Sequence, residues 1–254
     1  MCIRDSHTTT LLNDGTVFIA GGVLGPDNKV DARATEIYTP STDAFTAGPL
    51  LPEPRQGHTT TVLSDGKILL VGNSINSNGS PNKAVVLASV DPKSTTAPET
   101  SLLNVGRWNH TATLLSGGPS LLNNSVLVTG GFGDNPKSTE IYDPAKKTWQ
   151  LSGTLSEARA FHTATLLRNG KVLIVGGYNN TTGALSSVEI FSPTAEFSFS
   201  SAQKYWSTSP LQLNTARASH TSTLLVNDNV LVIGNYLQVG GTAIPSTEIL
   251  FTLP

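Results

Sequence analysis

Arg159-Ala160-Phe161-His162-Thr163-Ala164-Thr165-Leu166-Leu167, then Asn169-Gly170-Lys171-Val172-Leu173-Ile174-Val175-Gly176-Gly177, then Val188-Glu189-Ile190-Phe191-Ser192-Pro193 make up the stretch whose reading decides the fold. The aliphatic and β-branched runs are too short for helices and are bounded by turn residues, so they read as strands. Asn169-Gly170 joins the first two; an Asn-Gly pair supplies the positive φ angles of a tight type I′ hairpin, which makes those strands antiparallel neighbours. The Glu-Ile-Phe segment is a third strand, closed by a proline whose fixed φ fits the second position of a turn.

The same pattern recurs along the chain. His7, His58, His110, His162 and His220 each open a His-Thr run, at spacings of 51, 52, 52 and 58 residues. Gly-Gly follows at Gly21-Gly22, Gly130-Gly131 and Gly176-Gly177, with Gly-Asn at Gly72-Asn73 and Gly234-Asn235. Thr35-Glu36-Ile37-Tyr38-Thr39-Pro40 returns as Thr139-Glu140-Ile141-Tyr142-Asp143-Pro144, and in a degenerate form as Leu87-Ala88-Ser89-Val90-Asp91-Pro92. Phe45 and Trp149, five residues beyond their prolines, mark a fourth strand. A unit of four short antiparallel strands cannot bury both of its faces alone, and radial stacking of such units is how a β-propeller buries them.

With Arg-x-x-His-Thr-Ala-Thr-Leu-Leu, Asp/Asn-Gly-Lys-Val-Leu-Ile-Val-Gly-Gly and Glu-Ile-Tyr-Asp-Pro in view, the chain resembles the kelch-repeat β-propellers, in the form common in secreted bacterial proteins and related in architecture to the central domain of galactose oxidase. The resemblance implies an all-β fold of four-stranded antiparallel blades, about five of them, in units 7–57, 58–109, 110–161, 162–219 and 220–254. The last unit reads as unfinished, which suggests a ring left incomplete. Met1-Cys2-Ile3-Arg4-Asp5-Ser6 resembles the translated end of an adapter used in making sequencing libraries, and on that reading the native repeat begins at His7.

Composition narrows the function. Charged residues make up 13% of the 254, about half of the ~25% usual for soluble chains. Sixteen Lys and Arg against eighteen Asp and Glu give a net charge of −2, with no electrostatic footprint for nucleic acid. No window approaches the ~18 to 20 apolar residues of a membrane-spanning helix. The single Cys, within the first six residues, excludes a disulfide framework and a cysteine zinc site. It also leaves the copper-radical Tyr-Cys cofactor of galactose oxidase without its thiol. The glycine pairs follow a strand but open no helix, so they are not phosphate cradles.

In alternating strands, the loops from strand two to strand three and those between repeats emerge at one end, where binding surfaces usually sit. That places residues 27–33, 76–83, 134–137, 178–182 and 236–238, with Gln56, Trp108, Phe161 and Ser219, on the candidate face. Tyr178 and Tyr236 stand out there. Trp108 and Phe161 could stack a sugar ring or a partner side chain, or pack between blades.

The phased histidines read as structural, because rotation keeps equivalent positions apart and no second ligand type stands at metal spacing. Arg55, Arg107, Arg159 and Arg217 precede four histidines by three residues. They pair with the strand-three glutamates, or form an arginine ring that recognises carboxylates bidentately. The expectation is a noncatalytic interaction module without cofactor or metal, binding a protein or glycan, and extracellular, cell-surface or periplasmic. The alternative is part of a secreted carbohydrate-active or oxidase-like enzyme.

Overall fold

Each His-Thr run pairs with the aliphatic run after it, and that run pairs on its other side with the third strand, so every repeat becomes one antiparallel blade. Blade 1 is Thr8–Leu11, Val17–Ala20, Thr35–Thr39 and Ala44–Ala47. Blade 2 is Thr59–Val62, Ile68–Val71, Lys83–Leu87 and Glu99–Leu102. Blade 3 is Thr111–Leu114, Val126–Thr129, Ser138–Asp143 and Thr148–Thr154. Blade 4 is Thr163–Leu166, Val172–Val175, Ser187–Phe191 and Trp206–Gln212, with a 3-10 helix at Phe199–Tyr205 before its last strand. Blade 5 is described over Thr221–Leu224, Val230–Ile233 and Thr247–Leu250. The structure is a computed structural model that describes residues 4–24, 33–72, 83–87, 89–91, 97–117, 122–194, 196–234 and 246–250. No helix among them is long and apolar enough to cross a membrane.

The chain divides into two compact units, Met1–Asn109 with blades 1 and 2, and His110–Pro254 with blades 3, 4 and 5. Within each unit neighbouring blades meet along their first strands. The second strands carry the core. In blade 4, Val172 and Ile174 join the cluster shared with blade 3, while Leu173 and Val175 join the one shared with blade 5. A strand sends successive side chains to opposite faces, so a strand sandwiched between two blades is apolar at every position. Val17–Ala20 of blade 1 buries Phe18 and Ala20 against blade 2, and Val17 and Ile19 on its other face are half-buried. Burying one such aliphatic side chain contributes roughly 1.5–3 kcal/mol.

Aromatic pairs fix the outer edge. Tyr38 lies opposite Phe45, and Tyr142 opposite Trp149, with ring centroids 4.9 Å apart in both pairs. Blade 4 repeats the device with Phe191 and Trp206 at 5.0 Å. The 3-10 insertion moves this partner well beyond its expected offset, and the Trp206 indole donates to the Ser152 carbonyl of blade 3 at 2.7 Å.

The structure departs from two expectations. The hairpins are not type I′. Among Asp14-Gly15, Asp65-Gly66 and Asn169-Gly170 only the glycines have positive φ, at 85°, 82° and 80°. Each glycine N–H closes a turn onto the leucine three residues back, as Gly15 does to Leu12 at 3.1 Å, which is a type I turn followed by a left-handed residue. The preceding Asp or Asn serves instead as an acceptor: Asp14 Oδ1 takes the Thr16 N–H at 2.9 Å and Asn169 Oδ1 takes that of Lys171 at 3.1 Å. The third strand of blade 2 lies at Lys83–Leu87, upstream of the segment matched to it by its Asp-Pro turn. The buried run Ala84–Leu87 outweighs the turn signal, and Val85, opposite Leu70, takes the position that Glu36 holds opposite Ile19.

Candidate functional site

Within each unit the repeated Arg, His and Gly residues assemble into a latch between neighbouring blades. In blade 4 the Arg159 carbonyl accepts the Gly131 N–H of blade 3 at 2.8 Å, and the Arg217 carbonyl of blade 5 accepts that of Gly177 at 2.8 Å. Gly22 and Arg55 repeat the bond at 2.7 Å in the first unit. The histidine three residues on reaches the first strand of the preceding blade. His58 Nε2 is hydrogen-bonded to Thr8 Oγ1 at 3.0 Å, His162 Nε2 to Thr111 Oγ1 at 2.9 Å, and His220 Nε2 to Thr163 Oγ1 at 2.9 Å. Burial, reinforced by the nearby Arg55 charge, pushes His58 down to about 3; burial and Arg217 push His220 down to about 4.

The glycine beneath the latch can be nothing else. A Cβ on Gly176, whose φ is 58°, would stand 2.6 Å from the Arg217 carbonyl oxygen and 2.9 Å from His220 Cε1. Gly176→Ala is therefore expected to cost about 2 kcal/mol through left-handed strain and forced repacking. Gly183→Ala, at φ 82° with nothing within 4 Å, should cost only the backbone part, about 1 kcal/mol. Thermal melts of both variants check the difference, and equal losses would contradict the latch geometry.

While their carbonyls serve the preceding blade, Arg55, Arg159 and Arg217 turn their guanidinium groups into their own blades. Arg159 donates to the Gly176 carbonyl at 2.6 Å, to Ser187 Oγ at 3.0 Å and to Glu189 at 2.7 Å. Glu189 also accepts the Ser156 N–H at 2.7 Å and so ties down the incoming interblade segment. Arg217 bonds the Gly234 carbonyl at 2.9 Å, Ser246 Oγ at 2.8 Å and Glu248, which accepts the Asn214 N–H at 2.6 Å. Arg55 donates to the Gly72 carbonyl at 2.7 Å. With Val85 in place of the glutamate, burial pulls Arg55 down to about 10, against the opposing pull of Glu53. Arg55, Arg107, Arg159 and Arg217 are 0–1% exposed, which takes their guanidinium groups off the candidate ligand face.

A groove opens within the second unit, between the interblade segment and the loops after the glycine pairs of blades 3 and 4. It has a volume of about 130 Å³ and is lined by Gly131, Phe132 and Pro136, then Ala158 to Ala160, then Tyr178 to Thr181. Its floor is rigid, because Ala160 and Tyr178 exchange both backbone hydrogen bonds at 2.9 and 2.8 Å, and Tyr178 pairs with Ala184 as well. Phe161, next in sequence to Ala160, is 39% exposed, its ring edge-on to that of Phe132 with centroids 5.6 Å apart.

Phe161 is also strained. The residue before each histidine is left-handed in every repeat: Ser6, Gly57, Asn109, Phe161 and Ser219, with φ between 52° and 60°. Gly57 donates its N–H to the Ser6 carbonyl, Asn109 to Gly57 and Ser219 to Phe161, at 3.1, 2.7 and 2.9 Å. Small or polar residues tolerate this conformation, whereas a bulky aromatic pays about 1–2 kcal/mol. Strain of this kind concentrates at functional sites.

Among the other candidates, Gln56 and Trp108 are half-buried, Pro136 alone of residues 134–137 is in the groove lining, and Ser219 is exposed. Tyr236, residues 27–32 and 76–82, and residues 237–238 lie outside the described residues. Phe132 and Ala158 were not anticipated. The repeat phase held the signal for the first, since Phe132 follows Gly130-Gly131 as Tyr178 follows Gly176-Gly177. Among the described residues no cluster of His, Cys, Asp and Glu could hold a metal ion.

The family described as Kelch motif matches residues 159–206, from the latch arginine of blade 4 to the tryptophan of its outer strand. No curated relative matches the chain. Among solved structures the chain is similar to the one titled "Structure of YjhT", with a TM-score of 0.65 at 15% sequence identity, over 96% of this chain and 80% of that one.

Proposed function

This is a kelch-repeat chain of β-propeller blades, and we propose that it serves as a noncatalytic interaction module, outside the cytoplasm, that binds a protein or glycan through its strand two-to-three and interblade loops. One observation carries the reading. Arg55, Arg107, Arg159 and Arg217, His58, His110, His162 and His220, and Glu140 and Glu189, which could otherwise serve as nucleophile partners, acids or anion receptors, are buried within the blades, and Arg159, Glu189 and His220 are held there in hydrogen bonds. Around the groove of the second unit the open side chains are aromatic and amide ones, suited to contact rather than to proton transfer.

The test is binding and turnover measured together. The purified chain is titrated against arrayed oligosaccharides and peptides, and the binders are analysed by mass spectrometry for chemical change. Saturable binding of an unchanged ligand, lost in Phe132→Ala/Tyr178→Ala at an unaltered melting temperature, is the expected result. Conversion of any bound compound to product, abolished by the same variant, would replace the module with an enzyme.

A further inference from the structure

We infer that the groove between blades 3 and 4 receives a neutral pyranose ring of an oligosaccharide; this rests on the reading of that loop face as a binding surface. Size sets the first limit. An apolar protein cavity of ~150 Å³ accommodates benzene, so a groove of about 130 Å³ is large enough to seat one six-membered ring.

Charge sets the second. Arg159 is the sole charged residue of the lining, and its guanidinium is fully buried on Gly176, Ser187 and Glu189. An ionised ligand would find no counter-charge in the lining, so acidic sugars and charged side chains are disfavoured.

The third limit is the hydrogen-bonding inventory. The N–H of Gly131, and the N–H and carbonyl groups that Ala160 and Tyr178 exchange, already have backbone partners, and the strand pair Tyr178–Asn179 with Gly183–Ala184 has Ala160 on its other side. These backbone groups are therefore not available to an extended peptide for strand addition. The uncommitted groups are side-chain ones. The Tyr178 hydroxyl and the exposed Asn180 carboxamide make no hydrogen bond among the described residues. Asn179 uses Oδ1 on the Thr181 and Thr182 N–H groups at 2.9 and 2.7 Å, which leaves its amino group as a donor. A hydroxyl and two amides beside the Phe132 and Tyr178 rings match the two aspects of a pyranose. Its vicinal hydroxyls take and give hydrogen bonds, and its C–H face lies on the negative face of an aromatic ring.

The test is calorimetric titration of the full chain with hexasaccharides of glucose, mannose, galactose and N-acetylglucosamine. An oligogalacturonate and proline-rich and tyrosine-containing peptides are titrated in parallel. Binding of a neutral hexasaccharide is expected, weakened about tenfold or more by Tyr178→Ala and several-fold by Asn180→Ala. Asn180 is exposed, so its variant keeps the test decisive even where Tyr178→Ala fails to fold. Preference for the charged oligogalacturonate, or binding of a peptide alone with the same dependence on Tyr178, would overturn the neutral-sugar assignment and leave the binding face standing. Binding that ignores both variants, or no binding to any probe, would overturn the assignment and the reading of the face together.

Discussion

Replacing Arg159 by alanine is expected to lower the unfolding free energy of the chain by about 3–5 kcal/mol, the cost of stripping one partner from a buried ion pair. Arg159 is fully buried, Glu189 is 2% exposed, and their nitrogen and oxygen stand 2.7 Å apart. The loss has several parts. Without the guanidinium, Glu189 keeps a buried negative charge supported only by backbone N–H groups, and the Gly176 carbonyl loses its donor at 2.6 Å. The arginine stem also vacates packed space under the latch. Arg159→Lys retains the charge but not the fork that reaches Gly176, Ser187 and Glu189 at once, so its loss should fall between that of the alanine variant and none. Arg168 provides the control: its ion pair with Asp228 is more than half exposed on both sides, and Arg168→Ala should change little. Guanidinium chloride unfolding followed by tryptophan fluorescence checks the series. A loss below about 1 kcal/mol for Arg159→Ala would place this pair with surface ion pairs and remove it from the scaffold.

Acid should weaken the chain nearly as strongly, and the sign follows from the histidines. Buried His58 and His220 remain neutral down to about 3 and about 4, whereas in the unfolded chain histidine takes up its proton near its ordinary value of about 6.5. Below that value the unfolded state binds more protons than the folded one, so stability falls as pH falls. It goes on falling until each folded histidine is itself protonated. Each residue contributes up to about 1.4 kcal/mol per pH unit, and the two together should remove roughly 4–5 kcal/mol between pH 6 and pH 4. His58 has no way to accept the proton cheaply, since its Nδ1 is buried without a hydrogen-bond partner and Arg55 lies nearby. His220→Gln deletes one titration and retains a group able to bond Thr163. Its stability should decline by about 1 kcal/mol less per pH unit over the same range. Parallel curves for this variant and the unmodified chain would show that the carboxylates, and not the latch histidines, govern the acid response.

How far these features can be read from sequence depends on whether the repeat phase or the local fold decides them. Strands, blade order and the arginine–glutamate pairing were legible because each rests on residue types that recur at one position, and a chain so poor in charge has reason to repeat a charged pair only where it is neutralised. The third strand of blade 2 was not legible from its Asp-Pro turn. Val85 replaced the glutamate that would have marked it, and the buried run Ala84–Leu87 decided the pairing. The turn type also escaped, because Asp-Gly and Asn-Gly serve both a type I′ turn and a type I turn with a left-handed glycine, and only φ separates the two. Tyr178 and Phe161 were identifiable as loop aromatics. Phe132, some 46 residues upstream of Tyr178, became its neighbour only when blades 3 and 4 stacked. The arginines were candidates for two roles until the guanidinium groups were seen to point into their own blades.

Repeated Arg, His and Gly residues hold neighbouring blades together, and loop residues of the second unit meet a ligand. Hydrogen–deuterium exchange with and without a saturating neutral hexasaccharide tests that division directly. The predicted footprint is slowed exchange across residues 131–136 and 178–182, with the segments carrying the latch around His58 and His220 unchanged. Protection centred on those latch segments, with the groove unaffected, would contradict it.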